Sequence, residues 1–524
     1  MAVDPITTTV FVLLYIAITL VIGYVGYRKT KNSDDYLVAG RSSHPIVIAL
    51  SYGATFISTS AIVGFGGVAA NLGMGLIWLT VLNIGVGILI AFAVFGKKTR
   101  EIGQRLSAVT FPDLMGKIYK SPLMQYISGI IIVISMPLYT AAILIGGARF
   151  LEPTINLPYN YALLIFAAVV ALYVVFGGLI AVMYTDAFQG LIMLVGMSAL
   201  IVLTYVYLGG VTAAHTALTA MSDLVPSSLA SQGMTGWTSM PSLGSPIWWT
   251  LISTLVLGVG IGVLAQPQLV VRFMTAKDNK SLNRAVAMGA PWLLMMTGVA
   301  FTVGALTNVY FYQQTGKLAI DAAGGNVDAI MPAYINMAMP DIFVIIFMLT
   351  LLSAAMSTLS GLYHAMGTAL ICDIWGRGRA CALSMKANQA GVIIMMVASV
   401  ALAFVMPTNI IARATAMFMG LCAAAFLPAF ATGVYAKNPS TKAALWSMVS
   451  GAVTWFFWTA FIHAAESKPL GLCQMIFGKP ALLPLPWTVI DPIIIALPVS
   501  TVFMLLVQWL SGRQKPSEPA TRAG

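Results

Sequence analysis

Charge is scarce in this chain: only 8% of its 524 residues are Asp, Glu, Lys or Arg. Soluble domains carry roughly 25%, so a water-facing globule of this length is excluded. Cysteine is scarce too, at four. Cys372, Cys381, Cys422 and Cys473 lie far apart with at most one expected on the oxidising side of a membrane, so no disulfide framework or metal motif is read, and Cys473 reads as a loop residue or a free thiol. HExxH and a phosphate-cradling Gly-rich loop are missing, and the one Ser–His pair at plausible depth is Ser360 with His364. These absences exclude most enzyme classes and leave an intramembrane hydrolase as the enzyme alternative.

What the chain has is apolar length. Hydrophobic residues make up 59%, and runs of the roughly 20 residues that cross a bilayer core recur along the sequence. Thirteen spans are expected, near 8–27, 46–72, 75–96, 122–147, 159–177, 185–208, 247–269, 286–312, 341–371, 389–406, 409–436, 442–464 and 487–511. The first follows Asp4 with no Lys or Arg before it and no small-residue cleavage site after it, so it reads as a retained span rather than a signal peptide.

The net charge of +11 invites a polyanion partner, but its placement points elsewhere. With the N-terminus outside, one set of loops and the C-terminal tail hold 22 of the 27 basic residues, leaving out Arg149, Lys317, Arg413, Lys468 and Lys479. The positive-inside rule then sets an N-out, C-in topology with an odd number of spans in the inner membrane. The lipid bilayer is the expected partner, with no nucleic acid and no obligate protein partner.

Two spans are interrupted. The second reads SYGATFISTSAIVGFGG over 51–67, and the seventh carries LGVGIGVLAQP over 257–267. Unwound backbone in hydrocarbon is tolerated where it lines a cavity, so breaks in two spans five apart point to a binding site; close packing through small residues is the other reading. Because five is odd, units starting at these spans have opposite topology. The expected fold is an all-α polytopic membrane protein with a 5+5 inverted repeat, one extra N-terminal helix and two extra C-terminal helices. The expected segments are 1–45 (first helix and cytoplasmic loop), 46–208 (first repeat), 209–246 (extracytoplasmic loop), 247–436 (second repeat), 437–511 (last two helices) and 512–524 (disordered tail).

All sixteen acidic residues are expected in loops or near span ends, with no carboxylate at the midplane. That favours sodium over protons, since carbonyls and hydroxyls at a broken helix hold sodium while proton coupling calls for a titratable group. The ninth span supplies such hydroxyls in SAAMSTLSG, 353–361, where Ser357 and Thr358 point about 100° apart. Bonding back to their own helix is the alternative. His364 reads as a packing histidine or a proton relay, and Asp186 as a helix cap or a stop on an ion route.

The stretch FGGLIAVMYTDAFQGLIMLVG (176–196), with DYLVAGRS (35–42) and AAMSTLSG (354–361), resembles the sodium:solute symporter family over most of the chain. The resemblance implies a leucine-transporter-type fold of thirteen helices and sodium held by backbone oxygens of Ala54, Ile57 and Ala354 with the hydroxyls of Ser357 and Thr358. It also puts Asp186 on the ion's inward exit route. LIGGARFLEPTINLPYNYALLIF (144–166), AVTFPDL (108–114) and NLGMGLIWL (71–79) are most similar to pantothenate permeases, whereas AQPQLVVRFMTAKD (265–278) and Tyr139 are similar to the proline branch. Val259 and Val263 stand where the proline branch has aromatics. The resemblance therefore implies sodium-coupled import of a small carboxylate-bearing solute, pantothenate-like first, with proline or a monocarboxylate as alternatives and a membrane sensor as an alternative class. Thr55, Phe56, Ser58, Tyr139 and Gln266 are the candidate solute contacts.

Overall fold

The computed structural model describes residues 5–82, 87–155, 157–376, 385–406 and 410–513. The tail expected to be disordered lies outside this set from 514 on, as do Cys381, Arg377, Arg379, Lys515 and Arg522. Among the described residues the one β contact is an isolated bridge between Ser43 and Ala276; the architecture is helical.

Helix α1 spans Pro5–Lys29. Helix α2, Pro45–Phe56, starts at the His44 cap with Pro45 in its first turn, and α3, Ser60–Leu72, follows at a 52° bend. The short helices α4, Lys97–Arg105, and α5, Phe111–Ile118, precede α6, Pro122–Ile155. Helix α7 covers Tyr159–Tyr207 with a non-helical residue at Gly178, and α8 covers Pro246–Met274 with internal breaks. Then come α9, Asn279–Thr315; α10, Ile330–Ala338; α11, Asp341–Trp375; α12, Met385–Val405; α13, Ile411–Tyr435; α14, Thr441–Phe461; and α15, Ile493–Arg513.

Ten of the described helices are long and apolar enough to cross a membrane, or eleven if α2 and α3 make one span. Two of the thirteen expected spans do not register separately in that count. The fifth and sixth, 159–177 and 185–208, are both inside α7, whose 49 residues at 1.5 Å each reach about 74 Å, far beyond a hydrocarbon core of about 30 Å. The division comes at Gly178, with φ 56° and ψ −154°. A Cβ there would stand 2.5 Å from the Tyr36 ring and 2.8 Å from the Tyr36 carbonyl oxygen, so glycine is required for both the conformation and the contact. The third, 75–96, is helical at Ile77–Leu82 and Ala91–Gly96, while 83–86 lie outside the described residues.

Burial orders the bundle from inside out. The most apolar stretch of α11 is 83% buried and that of α13 78%, against 22% for α1 and α15. Helix α11 is therefore central, packed against α7, α6, α2 and α12, while α1 and α15 present exposed Val, Leu and Phe outward, as lipid-facing helices do.

Candidate functional site

Each break has a local cause. At the end of α2, Ser58 competes for backbone groups: its Oγ accepts from Ser60 N (3.1 Å), and its carbonyl, rather than that of Ile57, accepts from Ala61 N (3.0 Å). Ile57 leaves the helical region (φ −83°, ψ 97°), which frees its carbonyl from the helical ladder. In α8, Gly258, Gly260 and Gly262 weaken the helix. Pro267 then removes a donor and forces Gln266 out of the helical region, to φ −71° and ψ 120°. Gly262 also admits α13: a Cβ there would lie 2.5 Å from the Met419 carbonyl oxygen.

At the first break α2 meets α11. Ser357 Oγ lies 2.9 Å from Ala54 O, 2.7 Å from Ser353 O and 3.2 Å from Ala354 O. Thr358 Oγ1 lies 2.9 Å from Thr55 O, 3.1 Å from Ala354 O and 3.4 Å from Ala54 O. The two readings left open for these hydroxyls thus coexist, since each bonds back to its own helix and also reaches across to the end of α2. Four of the five oxygens named for sodium, on Ala54, Ala354, Ser357 and Thr358, converge here, and Ile57 stands at the same break. A cluster of neutral oxygens suits a hard cation.

Next to it lies a buried ion pair whose carboxylate, Asp186, stands near the start of the expected span 185–208. Asp186 is fully buried on α7 and forms an ion pair with Arg272 of α8 (2.9 Å), which is itself 1% exposed. Asp186 Oδ2 also accepts from Ser51 Oγ (2.9 Å) and Thr55 Oγ1 (3.0 Å), and Oδ1 from Ser360 Oγ (2.9 Å). Arg272 donates further to Ser51 Oγ (3.1 Å), to Gln268 O (2.7 Å) and to Thr55 Oγ1. By sequence position Arg272 counts among the loop cations of the positive-inside tally; in the structure it is an interior residue. Hydropathy windows cannot detect such a pair, because each charge sits near the end of an apolar run and its partner is 86 residues away.

Phe56, Ser58 and Tyr139 line one cavity with Ala61, Phe65, Leu79, Val259, Thr297, Phe301, Thr415 and Met419. It lies beside the first break, with Val259 of the glycine-rich stretch of α8 on its wall, and no charged side chain lines it. Thr55 and Gln266 are not brought into it. Thr55 faces the ion pair, and Gln266 accepts from Gln268 Nε2 at 2.6 Å, its own Nε2 buried without a partner. His364 is satisfied by the Tyr36 carbonyl oxygen at 2.9 Å and packs on the Tyr36 ring, in keeping with the packing role. Cys372, Cys422 and Cys473 are free and buried.

A second polar network ties together the loops at the end of the bundle that carries 313–340. Burial pushes the Asp328 carboxyl up to about 6, against the pull of the Ile411 and Ile410 backbone N–H groups it accepts at the start of α13. Nearby, Glu466 bridges Arg413 (3.4 Å) and His463. Burial lowers the His463 imidazole, but the Glu466 carboxylate outweighs it and leaves His463 above its usual value.

The sequence model of the sodium:solute symporter family matches residues 36–451. Sodium/proline symporter 2 of Staphylococcus saprophyticus is 28% identical over 91% of this chain and 90% of its own length, and the sodium/proline symporter of Staphylococcus aureus is likewise 28% identical over the same shares. Among solved structures, a Na+-coupled sialic acid symporter in a substrate-bound, outward-open state superposes with a TM-score of 0.73 at 16% identity, covering 95% of this chain and 98% of the other. A nucleobase-cation-symport-1 family transporter in a closed conformation gives 0.52 at 15% identity, with 94% and 98% covered. The fold is thus of the leucine-transporter type. With a broken helix beside a cavity and a family match over residues 36–451, the chain belongs to the sodium:solute symporter family.

Proposed function

We propose that this protein imports a small carboxylate-bearing solute by alternating access, using the inward sodium gradient. Sodium is the coupling ion of the family. Its site is Ala54, Ile57, Ala354, Ser357 and Thr358, and the observation that carries this reading is the meeting of the Ser357 and Thr358 hydroxyls with the carbonyls of Ala54 and Thr55 at the α2 break. Asp186 lies one side chain away, bonded to Thr55, and serves the ion's path inward. The solute occupies the cavity of Phe56, Ser58 and Tyr139, where the N-terminus of the half-helix after the break favours a carboxylate.

The N-terminus is outside and the C-terminus cytoplasmic, and segments 46–208 and 247–436 are the two inverted repeats. Moving one positive charge inward gains about 2.3 kcal/mol per 100 mV of membrane potential. Among solutes, proline stands ahead of the pantothenate first suggested by sequence, because the curated relatives are named sodium/proline symporters. Val259 in the cavity wall, where the proline branch has an aromatic, keeps monocarboxylates in the comparison. The test is uptake of labelled proline, acetate, pyruvate, lactate and pantothenate into proteoliposomes with and without an inward sodium gradient. Sodium-driven accumulation of one of them is expected, and uptake driven equally well by a proton gradient alone would overturn the sodium assignment.

A further inference from the structure

Four non-glycine residues among those described adopt a left-handed backbone: Ala39 (φ 53°), Arg41 (φ 51°), Ser107 (φ 50°) and Lys120 (φ 49°). Such conformations are costly for residues bearing a Cβ. Their placement is not scattered. Ser107 and Lys120 bracket α5, and Arg41 reaches the same segment by donating from Nη2 to Ala108 O at 2.6 Å. One short helix thus hangs between two strained hinges and is clasped from a third strained turn.

The face of α5 toward the bundle covers a cavity. Thr110 and Phe111 form one wall, and Gln268, Arg272, Gly361 and His364 the other. Through Arg272 this cavity adjoins Asp186 and Thr55, and so the α2 break. This segment is held at the N-cap of α5. Thr110 Oγ1 caps α5 by accepting from Asp113 N at 3.0 Å, and it lies 3.0 Å from both carboxylate oxygens of Asp373 on α11. Gln125 Nε2 of α6 donates to the same carboxylate at 2.7 Å. Asp373 is fully buried and forms no ion pair with a described cation within 4.0 Å, so these donors are what hold it.

We propose that Ser107–Lys120 is the inner gate of the transporter: a plug strained at both hinges, held shut by the Thr110–Asp373–Gln125 latch, whose release opens a path from the ion site to the cytoplasm. The latch holds the closed state, while the left-handed hinges oppose it and relax on opening. This rests on the transport reading and orientation given above. It assigns Thr110, Gln125 and Asp373 as positioning residues that touch neither ion nor solute.

The two kinds of contact predict opposite effects. In a cysteine-free background carrying Ala365→Cys in the cavity wall, a membrane-impermeant charged methanethiosulfonate is applied to inside-out and right-side-out vesicles. Thr110→Val removes the latch hydroxyl, and labelling from the inside is expected to rise about tenfold. Asp373→Asn, which keeps the shape, should raise it less. Ser107→Gly with Lys120→Gly relieves the strain of the closed state and should slow labelling about fivefold. Unchanged rates in all variants, a shift of all variants in the same direction, or labelling that responds only from the outside would each overturn the gate. Sodium-driven uptake is measured in the same vesicles. Labelling that shifts as expected in protein that accumulates no solute upholds the gate and counts against the transport reading instead.

Discussion

The Asp186–Arg272 pair invites a double-mutant cycle, because the structure specifies what each partner retains when the other is lost. Arg272→Gln leaves Asp186 buried with hydroxyl donors from Ser51, Thr55 and Ser360; Asp186→Asn leaves the guanidinium with Ser51, Thr55 and the Gln268 carbonyl. At 2.9 Å and an effective dielectric of about 20, the gross attraction is about 6 kcal/mol. Desolvating two ions costs a comparable amount, so the intact pair contributes little net stability. The single variants are a different case, since each leaves a buried charge without its counter-charge at a cost of about 3–5 kcal/mol. With about 2.1 cal/mol/K of unfolding entropy per residue, a chain of 524 residues loses about 3–5 °C of melting temperature for that cost. The double variant Asp186→Asn/Arg272→Gln has no unpaired charge, and its loss should fall short of the sum of the singles by about 3 kcal/mol, or about 3 °C. The assay is the monodisperse fraction left in detergent after heating, with all four proteins purified alike. Strict additivity, with the double at the sum of the singles, would refute the view of the pair as one neutral unit.

Ser357→Ala removes a hydroxyl from the proposed sodium cluster. If that oxygen is worth what a bond to a charged group is worth, about 1.5–3 kcal/mol, half-maximal uptake should need about 10- to 100-fold more sodium; an unchanged sodium dependence would count decisively against the site. Gly178→Ala asks a left-handed position to carry a Cβ 2.5 Å from the Tyr36 ring, so a loss of at least about 2 kcal/mol is expected, read as poor yield of monodisperse protein. Val259→Tyr should fill part of the cavity and abolish uptake of the larger solutes in the panel before the smaller; equal loss for all would exclude a role in selection. The Asp328 carboxyl, raised from 3.8 to about 6, favours the fold in its protonated form. Its contribution is complete below about pH 4 and is lost as pH rises through about 6, at most about 3 kcal/mol. His463 shares that direction. Melting temperature should therefore fall from pH 5 to pH 8, and Asp328→Asn should flatten the slope; an identical slope in the variant would show that Asp328 does not contribute.

Much of the architecture is legible in local sequence because its causes are local. Apolar length sets the spans, Pro267 and the glycines of 258–262 break α8, and the hydroxyls of 58–60 end α2. Ser357 and Thr358 could be singled out because hydroxyls in an apolar helix are conspicuous. Phe56, Ser58 and Tyr139 share a cavity, as residues near a break and a facing helix can. Thr55 and Gln266 do not join them, since which side of an unwound segment a residue faces depends on φ and ψ at the break.

Composition and hydropathy by themselves determined that this is a multi-span helical membrane protein with two interrupted helices, because the energetics of placing backbone in hydrocarbon act on each segment separately. Only the tertiary structure decided that Asp186 and Arg272 neutralise each other beside the first break, that Gly178 joins two spans into one bent helix against Tyr36, and that Thr110 is tied to Asp373 across 263 residues of chain. A buried charge or hydroxyl is tolerated or not according to partners that approach through space, and spacing along the chain carries no record of that approach.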